Sequence, residues 1–245
     1  MFSILRKEFN GFLNSLIAYL VIIVFLVLIG LPMWVFSTNV LDMGFADMSA
    51  LFSPLGVSAP IVFLFLIPAI TMRTFAEEKK AGTMELLLTK PLSDTQIILG
   101  KYLACWFLAI FALLPTVIYY ISIYKLGNPV GNMDSAGVAG SYIGLVLLAA
   151  VFTSVGVFAS SISDNQIVSF ILAFLLSAML YAGFDGLASL KFWGSLSDFI
   201  SHLGIIYHYN SLSKGLIDSR NVTYFVSVIV IMLMSTRLVL GSRRW

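Results

Sequence analysis

Long stretches without a charged side chain are the feature that most constrains this sequence. Five of them occur, at Phe9–Leu41, Met48–Met72, Tyr102–Tyr124, Ser135–Ser163 and Asn165–Phe184. A helix needs about 20 consecutive apolar residues to cross the hydrocarbon core of a bilayer. A sixth stretch, Asn221–Thr236, reaches that length only if it continues to about Leu240, with Arg237 extended toward the interface. The sequence therefore predicts six spans, near Phe12–Phe36, Pro54–Thr71, Tyr102–Tyr124, Val138–Ser160, Ile167–Leu187 and Val222–Leu240.

The composition supports an all-α polytopic membrane protein. Hydrophobic residues make up 60% of the chain and charged residues only 11%, whereas a soluble domain carries about 25% charged residues. So little charge cannot cover a globule of this size, which excludes a soluble enzyme and a disordered chain. The net charge of +2 is too small to suggest a nucleic-acid partner. We expect one membrane domain over residues 1–245.

Lysine and arginine are distributed unevenly between the predicted loops. If the N-terminus is in the cytoplasm, the inner segments hold ten of the fourteen basic residues and the outer segments hold four. Lysine and arginine accumulate in the cytoplasmic loops of membrane proteins. We therefore predict that both termini are cytoplasmic, which agrees with an even number of spans.

Polar segments outside the spans suggest further helices at the two membrane surfaces. Residues Met1–Asn10 place Phe2, Leu5 and Phe9 on one helical face, as in an amphipathic helix at the inner interface, although a frayed polar start fits equally well. The last outer segment, Ala188–Asn221, mixes aromatic and polar residues. This mixture is typical of helices that lie at the outer interface or re-enter it before the sixth span.

Four residues of that outer segment are candidates for a fixed turn against the end of the last span: Lys214, Gly215, Asp218 and Arg220. In this interpretation Asp218 pairs with a nearby basic residue. A free, solvated loop explains the same pattern almost as well. We interpret His202 and His208 as interfacial histidines without a metal-binding or catalytic role.

The segment between the second and third spans, Arg73–Lys101, concentrates charge in a chain that otherwise avoids it. It holds four of the twelve acidic residues and five of the fourteen basic residues. Gly82 predicts the end of a helix that continues from the second span. Thr83 can cap a short helix, which Pro91 would end.

A third helix is predicted at the end of that segment. Ser93 and Gln96 form a capping-box pattern, so this helix begins at about Asp94 and continues into the third span.

The short helix carries three consecutive leucines that cannot all be buried within it. They need the membrane, the neighbouring spans or a partner, and a short helix seated in a partner's groove is a common recognition mode. A charged loop resting on lipid is the alternative. The candidate residues for contact with a partner are Glu77, Glu78, Gly82, Thr83, Glu85, Leu86, Leu87 and Pro91.

Motifs for ATP binding and for hydrolysis are missing from the sequence. The chain has no Gly-x-x-x-x-Gly-Lys-[Ser/Thr] motif, so any ATP would have to be bound by a partner. It has neither His-Glu-x-x-His nor Gly-x-Ser-x-Gly, the motifs of zinc and serine hydrolases. No predicted span carries a charge near its centre, where ion-coupled transporters place ionisable residues. We therefore expect no catalytic, cofactor or metal site in this chain.

The charged segment resembles the signature of type-2 ABC exporter permeases. The pattern Glu-x-x-x-Gly-Thr-x-Glu-Leu-Leu-Leu-x-x-Pro-Leu-Ser begins at Glu78, and Ile-Ile-Leu-Gly-Lys follows, ending at Lys101. The segments 212–225 and 240–245, the opening MFSILRKEF and the length are similar to the gliding-motility-associated branch of that family. One position departs from the pattern, because that branch commonly has Asp where this chain has Asn221.

The resemblance implies a half-transporter in the bacterial plasma membrane. It would have six spans, an N-terminal interfacial helix and a cytoplasmic coupling helix that docks on a separate ATP-binding cassette subunit. A second permease half, identical or related, and a membrane subunit with a periplasmic domain would be further partners. The alternative is a membrane-anchored structural subunit that transmits cassette motion to an extracytoplasmic assembly without transporting a substrate.

Overall fold

A computed structural model describes residues 1–36, 41, 47–84, 93–190, 194 and 196–242. Within these residues the structure is helical and contains no strand. The helices are α1 Phe2–Leu13, α2 Leu16–Trp34, α3 Ser49–Phe52, α4 Ala59–Thr71, α5 Ala76–Lys80, α6 Asp94–Leu113, α7 Val117–Leu126, α8 Ser135–Ile162, α9 Gln166–Ala178, α10 Phe184–Ala188, α11 Ser197–Ser201, α12 Ile205–Leu212 and α13 Ser219–Gly241.

Five stretches of the described chain are long and apolar enough to cross a membrane: Ala59–Lys80, Asp94–Leu126, Ser135–Ile162, Gln166–Ala188 and Ser219–Gly241. A sixth span results if Phe2–Leu13 and Ala18–Trp34, which are bent by 67°, are counted together. The prediction of an all-helical, multi-pass membrane protein is confirmed.

The start of the first span differs from the prediction. Phe12, predicted to open that span, belongs to α1, and the chain bends at Asn14 and Ser15 before α2 begins. The Ser15 hydroxyl donates to the Phe12 carbonyl oxygen at 2.7 Å and occupies an acceptor at the end of α1. The uncharged interval from Phe9 concealed this bend, because hydrophobicity alone does not distinguish one long helix from two.

Helix α8 is the centre of the bundle and packs against α4, α6, α9 and α13. Its glycine, alanine and serine residues allow neighbouring backbones to approach closely. A methyl group added at Gly156 would collide with the Thr71 hydroxyl of α4. In its most apolar 18-residue stretch α8 is 78% buried, whereas the corresponding stretch of α13 is 11% buried. Helix α8 is therefore a core helix, and most of α13 is available to contact lipid or another subunit.

Helices are present before the last span, as predicted, at α11 and α12, and α12 packs against α8 and α13. Glycines make the closest contacts between this region and the start of α8. A Cβ at Gly140 would lie 2.6 Å from the Gly215 Cα, and one at Gly144 would lie 2.9 Å from the Leu212 Cβ. Gly215 also has a φ of +78°, a conformation that other residues rarely adopt. We call this region, with Gly140, Gly144 and Gly215, the glycine end.

Two buried tyrosines connect the segment around α3 to the glycine end by hydrogen bonds. The Tyr209 hydroxyl donates to the Phe52 carbonyl oxygen at 3.0 Å, and the Tyr181 hydroxyl donates to the Pro54 carbonyl oxygen at 2.8 Å. Burial raises the pKa of Tyr209 well above its ordinary value, and repulsion from Tyr181 raises it by a smaller amount. The phenol therefore stays protonated and remains a hydrogen-bond donor.

Candidate functional site

A buried lysine joins three separate parts of the chain at the end of the bundle opposite the glycines. The Lys101 ammonium donates to Glu8 Oε1 at 3.0 Å, to Glu78 Oε1 at 2.8 Å and to the Thr74 carbonyl oxygen at 2.7 Å. Lys101 is 1% exposed, and its three N–H donors are matched by three acceptors. We call Lys101, Glu8, Glu78 and Thr74 the lysine cluster, and the region around it the charged end.

Each member of the lysine cluster is positioned by a different local structure. Lys101 lies in α6, which begins at the predicted capping box: the Gln96 backbone N–H donates to Ser93 Oγ at 3.4 Å, and the Ser93 N–H donates to Gln96 Oε1 at 3.3 Å. Glu78 lies in the short helix α5, and Glu8 lies in α1. The cluster therefore links the N-terminal helix, the chain after the second span and the start of the third span.

Helix α1 approaches α6 closely because Gly100 precedes the lysine. A Cβ at Gly100 would lie 3.0 Å from the Ile4 Cγ2. Ile4 and Phe12 are buried, whereas Phe2 is 80% exposed. The protein-facing side of α1 is thus Ile4, Glu8 and Phe12, spaced four residues apart. The predicted face of Phe2, Leu5 and Phe9 lies beside it.

A serine of α8 supports the break between α4 and α5. The Ser160 hydroxyl accepts from the backbone N–H groups of Phe75 at 3.0 Å and Ala76 at 3.1 Å, and it donates to the Met72 carbonyl oxygen at 3.0 Å. These backbone groups lose helical partners where the chain bends, and buried backbone groups need replacements. The Lys79 ammonium donates to the Ser161 carbonyl oxygen, so α5 is attached to the end of α8 by two neighbouring residues.

The prediction that Gly82 ends a helix is confirmed. Gly82 has a φ of +67°, its N–H donates to the Lys79 carbonyl oxygen, and the Thr83 N–H donates to the Glu78 carbonyl oxygen. This pair of bonds is the Schellman arrangement that stops a helix.

Thr83 itself is not helical and Met84 is. The predicted coupling residues Glu85, Leu86, Leu87 and Pro91 lie outside the described residues.

The two predicted acidic contacts in this segment have different positions. Glu78 bonds to Lys101 of its own chain through Oε1, and its contact with a partner stays a prediction. Glu77 is exposed near the start of α5 and has no ion pair with the described residues. Of the two, Glu77 is therefore the carboxylate free to meet another molecule.

The outer turn differs from its prediction in both contact and pairing. Gly215 packs against the start of α8 rather than against the last span, and the Ser141 hydroxyl of α8 donates to the Ser213 carbonyl oxygen at 2.8 Å. Asp218 accepts the Arg220 backbone N–H at 2.9 Å and caps α13. The described residues place no lysine or arginine within ion-pair distance of it. Lys214 and Arg220 are exposed.

Sequence reasoning missed the lysine cluster, although a signal was present. The candidate residues from the sequence include neither Lys101 nor Glu8, which lies off the predicted face of Phe2, Leu5 and Phe9. The position of Glu8 midway between Ile4 and Phe12, on an otherwise apolar side of α1, is that signal. An acidic residue on a buried face requires a partner of opposite charge.

The sequence comparisons point to one family. A family model described as ABC-2 family transporter protein matches residues 2–242, which is nearly the whole chain. No curated protein matches the chain.

Proposed function

The chain belongs to the ABC-2 family of transporter proteins, and on that premise we propose that its charged end is where ATP-driven motion enters the membrane domain. Membership makes the chain a multi-pass permease subunit of an ABC transporter, which works with an ATP-binding cassette subunit. The proposal adds that this cassette docks on the 73–101 segment and that the charged end faces the cytoplasm. In this proposal ATP hydrolysis takes place entirely in the cassette subunit.

The lysine cluster is the observation that carries the proposal. A displacement of α5 changes the position of Glu78, and Glu78 is bonded to the same ammonium as Glu8 of α1. Because the ammonium is itself part of α6, a single buried contact connects the docking segment to an interfacial helix and to a span. Packed elements joined in this way move together rather than independently.

Attachment to α8 supplies a second connection to the same segment. Ser160 and the Ser161 carbonyl oxygen hold the start of α5 through backbone and lysine hydrogen bonds. Since α8 is the most buried helix of the bundle, motion at α5 also reaches the core. The segment is therefore anchored on two sides at its start.

The finer assignment follows the resemblance in residues 212–225. We propose a gliding-motility-associated permease of the bacterial plasma membrane, working with a second permease half and a membrane subunit that has a periplasmic domain. ATP-dependent flux in the reconstituted complex separates an exporter from a subunit that only transmits motion. Flux supports the exporter. Coupled ATPase activity without flux supports transmission.

Docking is tested by co-purification of the cassette and by ATPase activity of the complex. Glu85→Arg and Leu86→Asp should release the cassette or uncouple its ATPase activity, whereas Asp94→Asn should have a milder effect. Asp198→Arg, an equivalent charge reversal on exposed helix α11, is the control. If both loop variants bind and couple like the native chain, the cassette docks elsewhere, and α1 is the next candidate.

Orientation is tested by cysteine labelling. Cys105 is the chain's only cysteine and it is buried, so cysteines introduced at Ser3 or Ser242 would react without background. We expect both to be protected from a membrane-impermeant reagent added outside the cell. Labelling of either position from that side would contradict the proposed orientation.

A further inference from the structure

A cavity of about 490 Å³ lies beside the lysine cluster, between α1, the chain following α4 and helix α5. This volume is within the range of small-molecule sites. The charged residues of its lining are Lys7, Glu8, Arg73, Glu77, Glu78 and Lys101. Lys101 and one oxygen of each of Glu8 and Glu78 satisfy one another, which leaves the other charged groups to be explained.

Arg73 is the first unexplained group. Its guanidinium lies over the Phe12 ring at 4.6 Å from the centroid, and one nitrogen donates to Ser15 Oγ at 3.3 Å. A guanidinium has five N–H donors. Arg73 has no ion pair with the described residues, although three glutamates line the same cavity. Within the part of the chain that the structure describes, this half-buried cation therefore has unused donors.

The second unexplained group is a carboxylate oxygen. Glu78 Oε2 is buried and has no hydrogen-bond partner among the residues that the structure describes. The neighbouring Glu77 is exposed and has no ion pair with them. A buried acceptor without a donor is costly. The lining thus contains unused cationic donors and unused anionic acceptors at the same time, and they do not pair with each other.

We place the cavity at the level of the membrane surface, from its position relative to the ends of α2 and α4. Its wall includes Gly11 and Phe12, just before α2 crosses the membrane, and Arg73, two residues after α4 ends. Phospholipid headgroups lie at this depth, immediately outside the hydrocarbon core. The docking test above places the cassette on Glu85 and Leu86, which leaves lipid as the lateral neighbour that we assign to this depth. A lipid is therefore the occupant that the position favours.

We propose that this cavity binds the headgroup of a phospholipid that carries both a phosphate and a primary ammonium group, as phosphatidylethanolamine does. The phosphate meets the unused donors of Arg73 and Lys7, because guanidinium and phosphate match in geometry and charge. The ammonium donates to Glu77 and, after a small side-chain adjustment, to Glu78 Oε2. Phosphatidylcholine has the same charges, but its ammonium lacks N–H donors. Phosphatidylglycerol lacks the ammonium altogether.

Native mass spectrometry of the full chain in detergent tests this headgroup preference. The three lipids, with identical acyl chains, are added in equal amounts and the retained lipid is identified. We expect phosphatidylethanolamine to be retained roughly tenfold more than phosphatidylcholine, the effect of one charge-assisted hydrogen bond. Equal retention of the two lipids would overturn the proposal.

Variants assign the preference to the cavity. Glu77→Gln should bring the ratio of phosphatidylethanolamine to phosphatidylcholine closer to one, and Arg73→Gln should lower retention of all three lipids. Arg6→Gln, on the exposed side of α1, should change neither. The ratio is measured within each folded sample, so a lower yield of a variant does not obscure it. An unchanged ratio in Glu77→Gln together with unchanged retention in Arg73→Gln would place the lipid elsewhere.

A soluble headgroup distinguishes lipid from metabolite. Glycerophosphoethanolamine should compete for the retained lipid while binding more weakly, because it lacks the acyl chains. If it binds although phosphatidylethanolamine is not preferred over phosphatidylcholine, the site takes a soluble zwitterion and the lipid assignment is wrong.

Discussion

The two ends of the bundle are held together by opposite means. At the charged end, one ammonium bonds to two carboxylates and a carbonyl oxygen from separate parts of the chain. At the glycine end, Gly140 and Gly215 bring backbone against backbone, with serine and tyrosine hydroxyl groups donating to carbonyl oxygens nearby. The first contact depends on charge and the second on the absence of side chains.

This difference matters for a protein driven from one side. A contact made by long side chains can shift while its hydrogen bonds persist, whereas a contact between backbones tolerates almost no displacement. We therefore expect the charged end to respond to the cassette and the glycine end to act as the fixed support.

Replacement of Lys101 with methionine should have the largest effect. The change keeps the length of the side chain but leaves Glu8 and Glu78 without their cation, and removing one partner of a buried ion pair costs about 3–5 kcal/mol. We expect a matching loss in the free energy of unfolding, measured by titrating SDS into mixed micelles. Coupling to the cassette should be lost as well.

The matched control is Lys214→Met, because Lys214 is an exposed lysine at the other end of the molecule. Surface charges contribute under about 1 kcal/mol. Glu8→Gln combined with Lys101→Met should cost less than the two single changes added together, because both act on one cluster. Equal losses for Lys101→Met and Lys214→Met would show that the lysine cluster does not hold the charged end.

Gly140→Ala should give the next largest effect, at the glycine end. The added methyl group would meet the backbone of Gly215 at 2.6 Å, and a backbone cannot rotate out of the way. Overpacking of this kind costs about 1–3 kcal/mol. Gly186→Ala is the control, since that helical glycine has open space around it. We expect Gly140→Ala to lower stability while leaving the ATPase coupling per folded complex unchanged.

The spans and two helix ends of the charged segment were predictable because they depend on local patterns. The uncharged intervals located the membrane-crossing helices. Gly82 and the pair Ser93 and Gln96 located a helix end and a helix start, which the structure confirms. These signals lie within a few residues of the feature that they predict, so no tertiary information was needed.

The contacts of the candidate site were not predictable in this way. Glu8 and Lys101 are 93 positions apart in the sequence, and Ser160 lies 85 positions from Phe75. Nothing local shows which buried acid faces which base. The prediction for the outer turn failed for the same reason. The glycine spacing in α8 indicates that another segment packs closely against it, but it does not identify Gly215 as part of that segment.

Ser160→Ala should give a smaller loss, at the charged end. The change leaves the Phe75 and Ala76 N–H groups without acceptors at the break between α4 and α5. An unsatisfied buried group costs about 1–3 kcal/mol, and water that enters at the break keeps the effect near the lower value. Hydrogen exchange should rise at residues 75–80 first. Ser235→Ala, which removes only a bond within exposed α13, is the control. A rise confined to α13, or no rise at all, would contradict this role for Ser160.

The smallest effect is expected at Asp218, where two substitutions separate a helix cap from an ion pair. Its carboxylate accepts the Arg220 backbone N–H at 2.9 Å at the start of α13. Asn can accept the same bond and Ala cannot, so Asp218→Ala should cost about 1 kcal/mol while Asp218→Asn should cost little. An ion pair would instead make both changes equally harmful, because both remove the charge. The comparison is made by SDS titration at low and at high salt, since screening weakens an exposed ion pair and hardly affects a cap. If Asp218→Ala and Asp218→Asn lower the free energy of unfolding equally, and both losses are smaller at high salt, Asp218 forms the ion pair expected from the sequence.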